Sequence, residues 1–110
     1  MPGEITQPTL EDLEKRDLFP FPASGRVVIT ATGSDRYVLH CTDLNGDDLQ
    51  SLQSFFNDCK GRFKAFRFVS RDGQYQFPHC RFDSDIAHFN HDAPDRGSVV
   101  LPIKALPYKT

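Results

Sequence analysis

Residues Asn45–Phe82 read NGDDLQSLQSFFNDCKGRFKAFRFVSRDGQYQFPHCRF. Leu49, Leu52, Phe55, Phe56 and Cys59 recur three to four positions apart. On a helix from Asp47 to Lys60 they form one apolar stripe. Asn45 or Asp47 supplies a cap, because a short side-chain oxygen accepts from the free amides of the first turn. Asp47 and Asp48 suit the positive end of the helix dipole, and Lys60 the negative end. Gly61 suits the left-handed position at which many helices stop. Beyond it, Phe66 and Phe68 alternate with Arg67 and Val69, the period of a strand with one buried face. Asp72-Gly73 marks a hairpin turn that needs a positive φ, and Tyr75 and Phe77 share one face of the returning strand. The expected kernel is a helix followed by a hairpin.

Upstream, Arg26–Thr32 reads as a strand, Thr32-Gly33-Ser34-Asp35 as a turn, and Arg36–Thr42 as the return, with Tyr37, Leu39 and Cys41 on one face. A loop, Asp43–Gly46, leads into the helix. Downstream, Asp83-Ser84-Asp85 makes a corner, Ile86–Asn90 a short strand, His91–Gly97 a polar loop and Ser98–Leu106 the last strand. Pro102 has no N–H to give a ladder, so that strand is expected at an edge or bulged. The sum is about six strands and one dominant helix. It predicts an α+β fold, an antiparallel β-sandwich or half-open barrel with one flanking helix.

One domain is expected over residues 25–106, with an extended N-terminal arm over 1–24 and a short C-terminal tail over 107–110. Within the arm, Thr9 can cap a short helix reaching Arg16. Phe19-Pro20-Phe21-Pro22 must be extended, since each proline biases its predecessor away from the helical region. Phe19 and Phe21 then either lie over the core or dock on another subunit.

Ten phenylalanines, three tyrosines and no tryptophan make the core phenylalanine-rich. Each buried phenylalanine is worth roughly 2–3 kcal/mol. A net charge of −2 argues against a general nucleic-acid binder, which needs a concentrated basic surface. Cys41, Cys59 and Cys80 have no framework spacing and read as reduced, buried thiols of a protein made and used without export. The first residues are polar and acidic, unlike a signal peptide. No run approaches the roughly 20 apolar residues of a membrane span.

The chemistry-bearing residues do not converge in the sequence. His79 and Cys80 are adjacent and would point to opposite faces of a strand. His88 and His91, with Asp83 and Asp85, lie across a strand end and a loop, whereas a zinc site needs three or four converging ligands. Cys59 lies on the apolar stripe as a core filler, and His40 faces away from Cys41. Asp83 and Asp85 suit a corner, where aspartates bond their own backbone. No enzyme activity, cofactor or metal is therefore expected. Lys60, Arg62, Lys64, Arg67 and Arg71 interleave with Phe63, Phe66 and Phe68. That pattern fits either a strand with an aromatic core face and a solvated outer face, or a module that binds single-stranded nucleic acid or an acidic ligand. Phe19, Phe21, Lys64, Arg67 and Arg71 are the candidate interface residues.

The segment Leu52–Phe82 resembles the small minor tail and tail-tip proteins of long-tailed phages, of the lambda tail-tip protein M type. The matching residues are Phe55 and Phe56, then Gly61, then Phe66 and Phe68, then Cys80 and Phe82, over roughly a third of the chain. The resemblance implies a tail-tube-like fold assembled as a homo-oligomeric ring. It implies a structural, non-catalytic role in tail assembly, with tube, hub or tip proteins as partners and nucleic acid met only indirectly, as DNA crossing a channel. It implies assembly in the cytoplasm and a final place in the virion tail, with no membrane contact. An edge strand left bare in one subunit would be covered by the next in such a ring.

Overall fold

A computed structural model describes residues 7–93 and 95–108. The order of elements is α1 (Leu10–Leu13), β1 (Arg26–Ala31), β2 (Arg36–Asn45), α2 (Gly46–Cys59), β3 (Phe66–Val69), β4 (Gln76–Phe82), β5 (Phe89–Ala93) and β6 (Arg96–Ala105). The six strands form one antiparallel sheet in the order β1-β2-β6-β4-β3, with β5 also paired to β6. It is one sheet, and of the two architectures expected it is the half-open barrel.

Helix α2 forms where its period predicts. The Asn45 side chain accepts from the Asp48 amide at 2.8 Å, which caps the first turn. The helix ends on two left-handed residues, Lys60 at φ 53° and Gly61 at φ 66°. Leu49, Leu52, Phe56 and Cys59 are buried and Phe55 is half-buried. They pack on the inward face of the sheet, against Leu39 and Cys41 of β2, Val99, Leu101 and Ile103 of β6, and Phe82 of β4. Phe56 and Phe82 stand 4.8 Å apart, ring centre to ring centre, and Phe55 and Phe66 5.2 Å apart.

The N-terminal segment is part of this core. Phe19 is 2% exposed and its ring lies 5.1 Å from Phe68 and 5.8 Å from Phe55. Its amide donates to the Arg67 carbonyl at 2.7 Å, and the Arg67 amide donates to Asp17 at 2.9 Å. Leu18 thus forms a parallel bridge with Arg67 and covers the outer edge of β3. Within the expected extended arm, residues 17–19 run beside β3, Phe19 takes the place over the core, and Ser24 ties the entry to β1 onto α2. The Ser24 amide donates to Asp48 at 2.9 Å, and its hydroxyl accepts from the Asn45 amide at 2.9 Å. Residues 1–6 of that arm, and residues 109–110 of the tail, lie outside the described residues. The short helix is α1, shorter than expected but capped by Thr9 as predicted, with Asp12 completing the reciprocal box.

Two strand expectations need correction. The polar run from His91, read as a loop, is half of a hairpin. β5 covers Phe89–Ala93, and Ile86, expected inside a strand, is exposed. The main-chain ladder to β6 holds Asn90 and His91 opposite Ser98 and Gly97, and backbone pairing does not depend on apolar side chains. The last strand is not an edge. β6 is central, flanked by β2 on one side and by β4 and β5 in turn on the other. Pro102 is tolerated because of that handover. β4 pairs with Ile103–Ala105 and β5 with Arg96–Val99, which leaves residue 102 between them. The Pro102 carbonyl accepts from the Asp83 amide at 2.8 Å in the register that pairs Phe82 with Ile103, so the missing N–H forfeits only the return bond to Asp83, at the point where β4 hands over to β5.

Candidate functional site

The structure gives the five candidate interface residues different settings. Phe19 is core, and its place at an exposed interface is corrected. Arg67 is half-buried, and its Nε donates to the Arg16 carbonyl at 3.1 Å, pinning the N-terminal segment. Lys64 is exposed and paired with Asp17 at 3.0 Å. Phe19 meets Arg67 through the main chain and Phe21 through its buried ring, and Phe21 and Arg71 come together at the surface. The Arg71 guanidinium lies 5.7 Å from the Phe21 ring centre and donates to the Pro22 carbonyl.

Phe21 and Arg71 form one lip of a groove of about 570 Å³. The turn between β3 and β4 builds that lip. The Ser70 hydroxyl donates to Asp72 at 2.7 Å, and the Asp72 carboxylate also accepts from the Gln74 amide at 3.0 Å. Those two bonds, the Ser70 one larger, hold the Asp72 carboxyl below its ordinary pKa. Gly73 takes the positive φ of 73° that the Asp-Gly pair predicts. The opposite lip is Gly25 with Arg26 to Ile29 of β1.

β1 is an edge strand. The Thr32 amide donates to Arg36 at 2.9 Å, which makes that pair hydrogen-bonded in the β1–β2 register. Alternation then turns the N–H and C=O of Val28 and Thr30 toward β2, and those of Val27, Ile29 and Ala31 outward. Among the described residues, no main-chain bond from another element reaches these outward groups. Val28 adds an apolar side chain that is 48% exposed. The far edge, β3, is covered by Leu18. β5 also has a bare side, but it is short and carries Asn90, His91 and Asp92. Polar, short edges resist pairing with another chain, whereas a longer apolar one invites it.

The residues screened for chemistry stay apart. No three His, Cys, Asp or Glu side chains converge on a common point among the described residues. The three cysteines are free and buried. Burial pushes the Cys41 thiol up to about 12 and the Cys59 thiol to about 11, and raises Cys80 further, so none forms thiolate readily near neutral pH. Among the described residues no helix is long and apolar enough to cross a membrane.

Two polar residues are buried among those described, Ser70, whose hydroxyl is hydrogen-bonded, and His79. His79 is 8% exposed, and its Nδ1 has no hydrogen-bond partner among the described residues. Burial lowers its pKa, and the Arg16 and Arg81 guanidinium groups lower it further. The unfolded chain therefore takes up this proton first as pH falls. His79 contributes stability above its ordinary value of about 6.5, and that contribution is lost on acidification below it. The urea midpoint should fall between pH 7.5 and 5.5, and His79→Gln should flatten the fall. Equal pH dependence in both proteins would refute the assignment.

No family model, curated protein or solved structure matches this chain.

Proposed function

We propose that this chain is a structural assembly protein acting through protein–protein contacts, and that its assembly is the tail of a long-tailed phage. One observation carries the first part: the sheet has one edge covered by its own N-terminal segment and the other, β1, bare beside a groove. An extended segment of a neighbouring subunit or tail protein can add to β1 as a further strand. Main-chain bonds to Val27, Ile29 and Ala31 supply affinity, and the groove supplies selectivity. Addition of a different segment of the next subunit to β1 is a heterologous contact, which closes into rings when the rotation allows. The resemblance over Leu52–Phe82 supports the second part, with tube, hub or tip proteins as the neighbours.

Sedimentation of the full chain over a rising concentration series tests the first part. Concentration-dependent association is expected, and Val28→Lys with Thr30→Lys should abolish it. Both side chains are exposed, so the fold survives, and lysines on an edge are a device that blunts pairing. A monomer at every concentration would overturn the reading. The flanking genes test the phage assignment: tail-tube and tape-measure neighbours are expected, and a locus without tail genes would refute it.

A further inference from the structure

Phe63 is the most exposed large apolar side chain among the described residues, at 76%. It is not on a loose loop. The Gly61 amide donates to the Phe56 carbonyl at 3.3 Å and the Lys64 amide to the Cys59 carbonyl at 3.0 Å, while Ala65 is buried. The backbone is pinned on both sides and the ring stands outward on it.

Two concavities, of about 660 and 370 Å³, flank the ring, and both are lined by Lys60, Phe63 and Arg81. The larger adds Arg62 and Asp85, and the smaller adds Arg16, Asp58 and Lys64. Arg62 is paired with Asp85 at 3.2 Å and Lys64 with Asp17 at 3.0 Å. Arg16, Lys60 and Arg81 have no carboxylate within 4.0 Å among the described residues. The Arg16 Nε is buried and has no hydrogen-bond partner among them. A chain of net charge −2 thus gathers three uncompensated cations around one outward aromatic face.

We infer that this end of the molecule is a binding site for single-stranded nucleic acid. A base stacks on Phe63, and the phosphates on either side pair with Lys60, Arg81 and Arg16. The chemistry selects this ligand. An acidic peptide would answer the cations and leave the ring unmatched, and an apolar partner would answer the ring and strand the cations. A polynucleotide strand offers a flat π-face and a negative charge at every residue. A duplex keeps its bases stacked inside and offers Phe63 nothing. The site shares no lining residue with the β1 groove, so it stands apart from the assembly reading, and either can fail without the other.

Because the chain has no tryptophan, Phe63→Trp gives a single reporter at the proposed stacking position. Oligothymidylate in low-salt buffer should quench its fluorescence, with affinity falling as salt rises. Labelled oligothymidylate should bind Phe63→Ala about tenfold more weakly than the unaltered chain, the usual scale of one lost stack. Lys60→Asn, which keeps a residue at home in the left-handed cap, should weaken binding as well. Absence of binding, or equal affinity for Phe63→Ala, would overturn the inference. So would equal or tighter binding of a duplex, or of polyglutamate, the latter assigning the patch to an acidic protein segment.

Discussion

Replacing Phe19 by alanine is expected to cost about 3–5 kcal/mol, the range for removing a fully buried phenylalanine. Total stabilities of single domains are about 5–15 kcal/mol, so the variant should lose a third or more of the stability of a typical domain. The size follows from its position. The ring is 2% exposed and lies within 6.5 Å of five others, Phe21, Phe55, Phe66, Phe68 and Phe82, which belong to α2, both strands of the β3–β4 hairpin and its own segment. Losing it leaves a cavity where these elements meet, and the surrounding backbone can close only part of it. A second effect is local. With the ring gone, residues 17–19 keep only polar contacts to β3, and the amide of Arg67 should lose its protection from hydrogen exchange ahead of the rest of the sheet. Urea titration followed by circular dichroism measures the first effect. Phe63→Ala is the matched comparison, since truncating an exposed ring should change stability by no more than about 0.5 kcal/mol. Equal, small losses in the two variants would mean that the N-terminal segment does not belong to the core.

Gly97→Ala should destabilise by about 1–3 kcal/mol or more, through overpacking rather than a cavity. Gly97 is buried where β6 passes between β5 and α2. A methyl group there would stand 2.3 Å from the Asn90 carbonyl oxygen and 2.6 Å from Leu49 Cδ1. The leucine tip can swing aside. The carbonyl belongs to the β5 ladder and moves only if the hairpin separates from β6. Gly33→Ala is the control, because its nearest neighbour would be Arg36 Cβ at an ordinary 3.7 Å. The urea midpoint should drop for the first variant and hold for the second. Equal midpoints would show that the approach of β5 is looser than the structure places it.

Local pattern made the central helix and the hairpins legible. The stripe from Leu49 to Cys59, the cap at Asn45 and the turn at Asp72-Gly73 are all encoded within a few residues of where they act. The errors arise where a distant partner decides. Phe89–Ala93 has little apolar signal and becomes a strand because β6 offers its free main chain. Pro102 argued for an edge or a bulge, yet it lies mid-sheet at the point where one neighbour ends before the next begins. The Phe19-Pro20-Phe21-Pro22 run was readable as extended, but its destination depends on Arg67, almost fifty residues away. The same limit governs the candidate sites. Arg71 was grouped with Lys64 and Arg67 by proximity in the chain, while folding sends it to Phe21 and Pro22. Phe63 was visible among the basic residues. Arg16 and Arg81, which come from either side of it in sequence, were not.

The handover along β6 also sets how the sheet comes apart. At Pro102 no donor exists to stitch β4 and β5 into one continuous run, so the two halves of β6 are zipped independently on that side. Heat or denaturant can peel the β5 hairpin from residues 96–99 while the β3–β4 hairpin, with its phenylalanines, still grips residues 103–105. On that side of β6, opening is therefore expected in two separate steps, one on either side of Pro102.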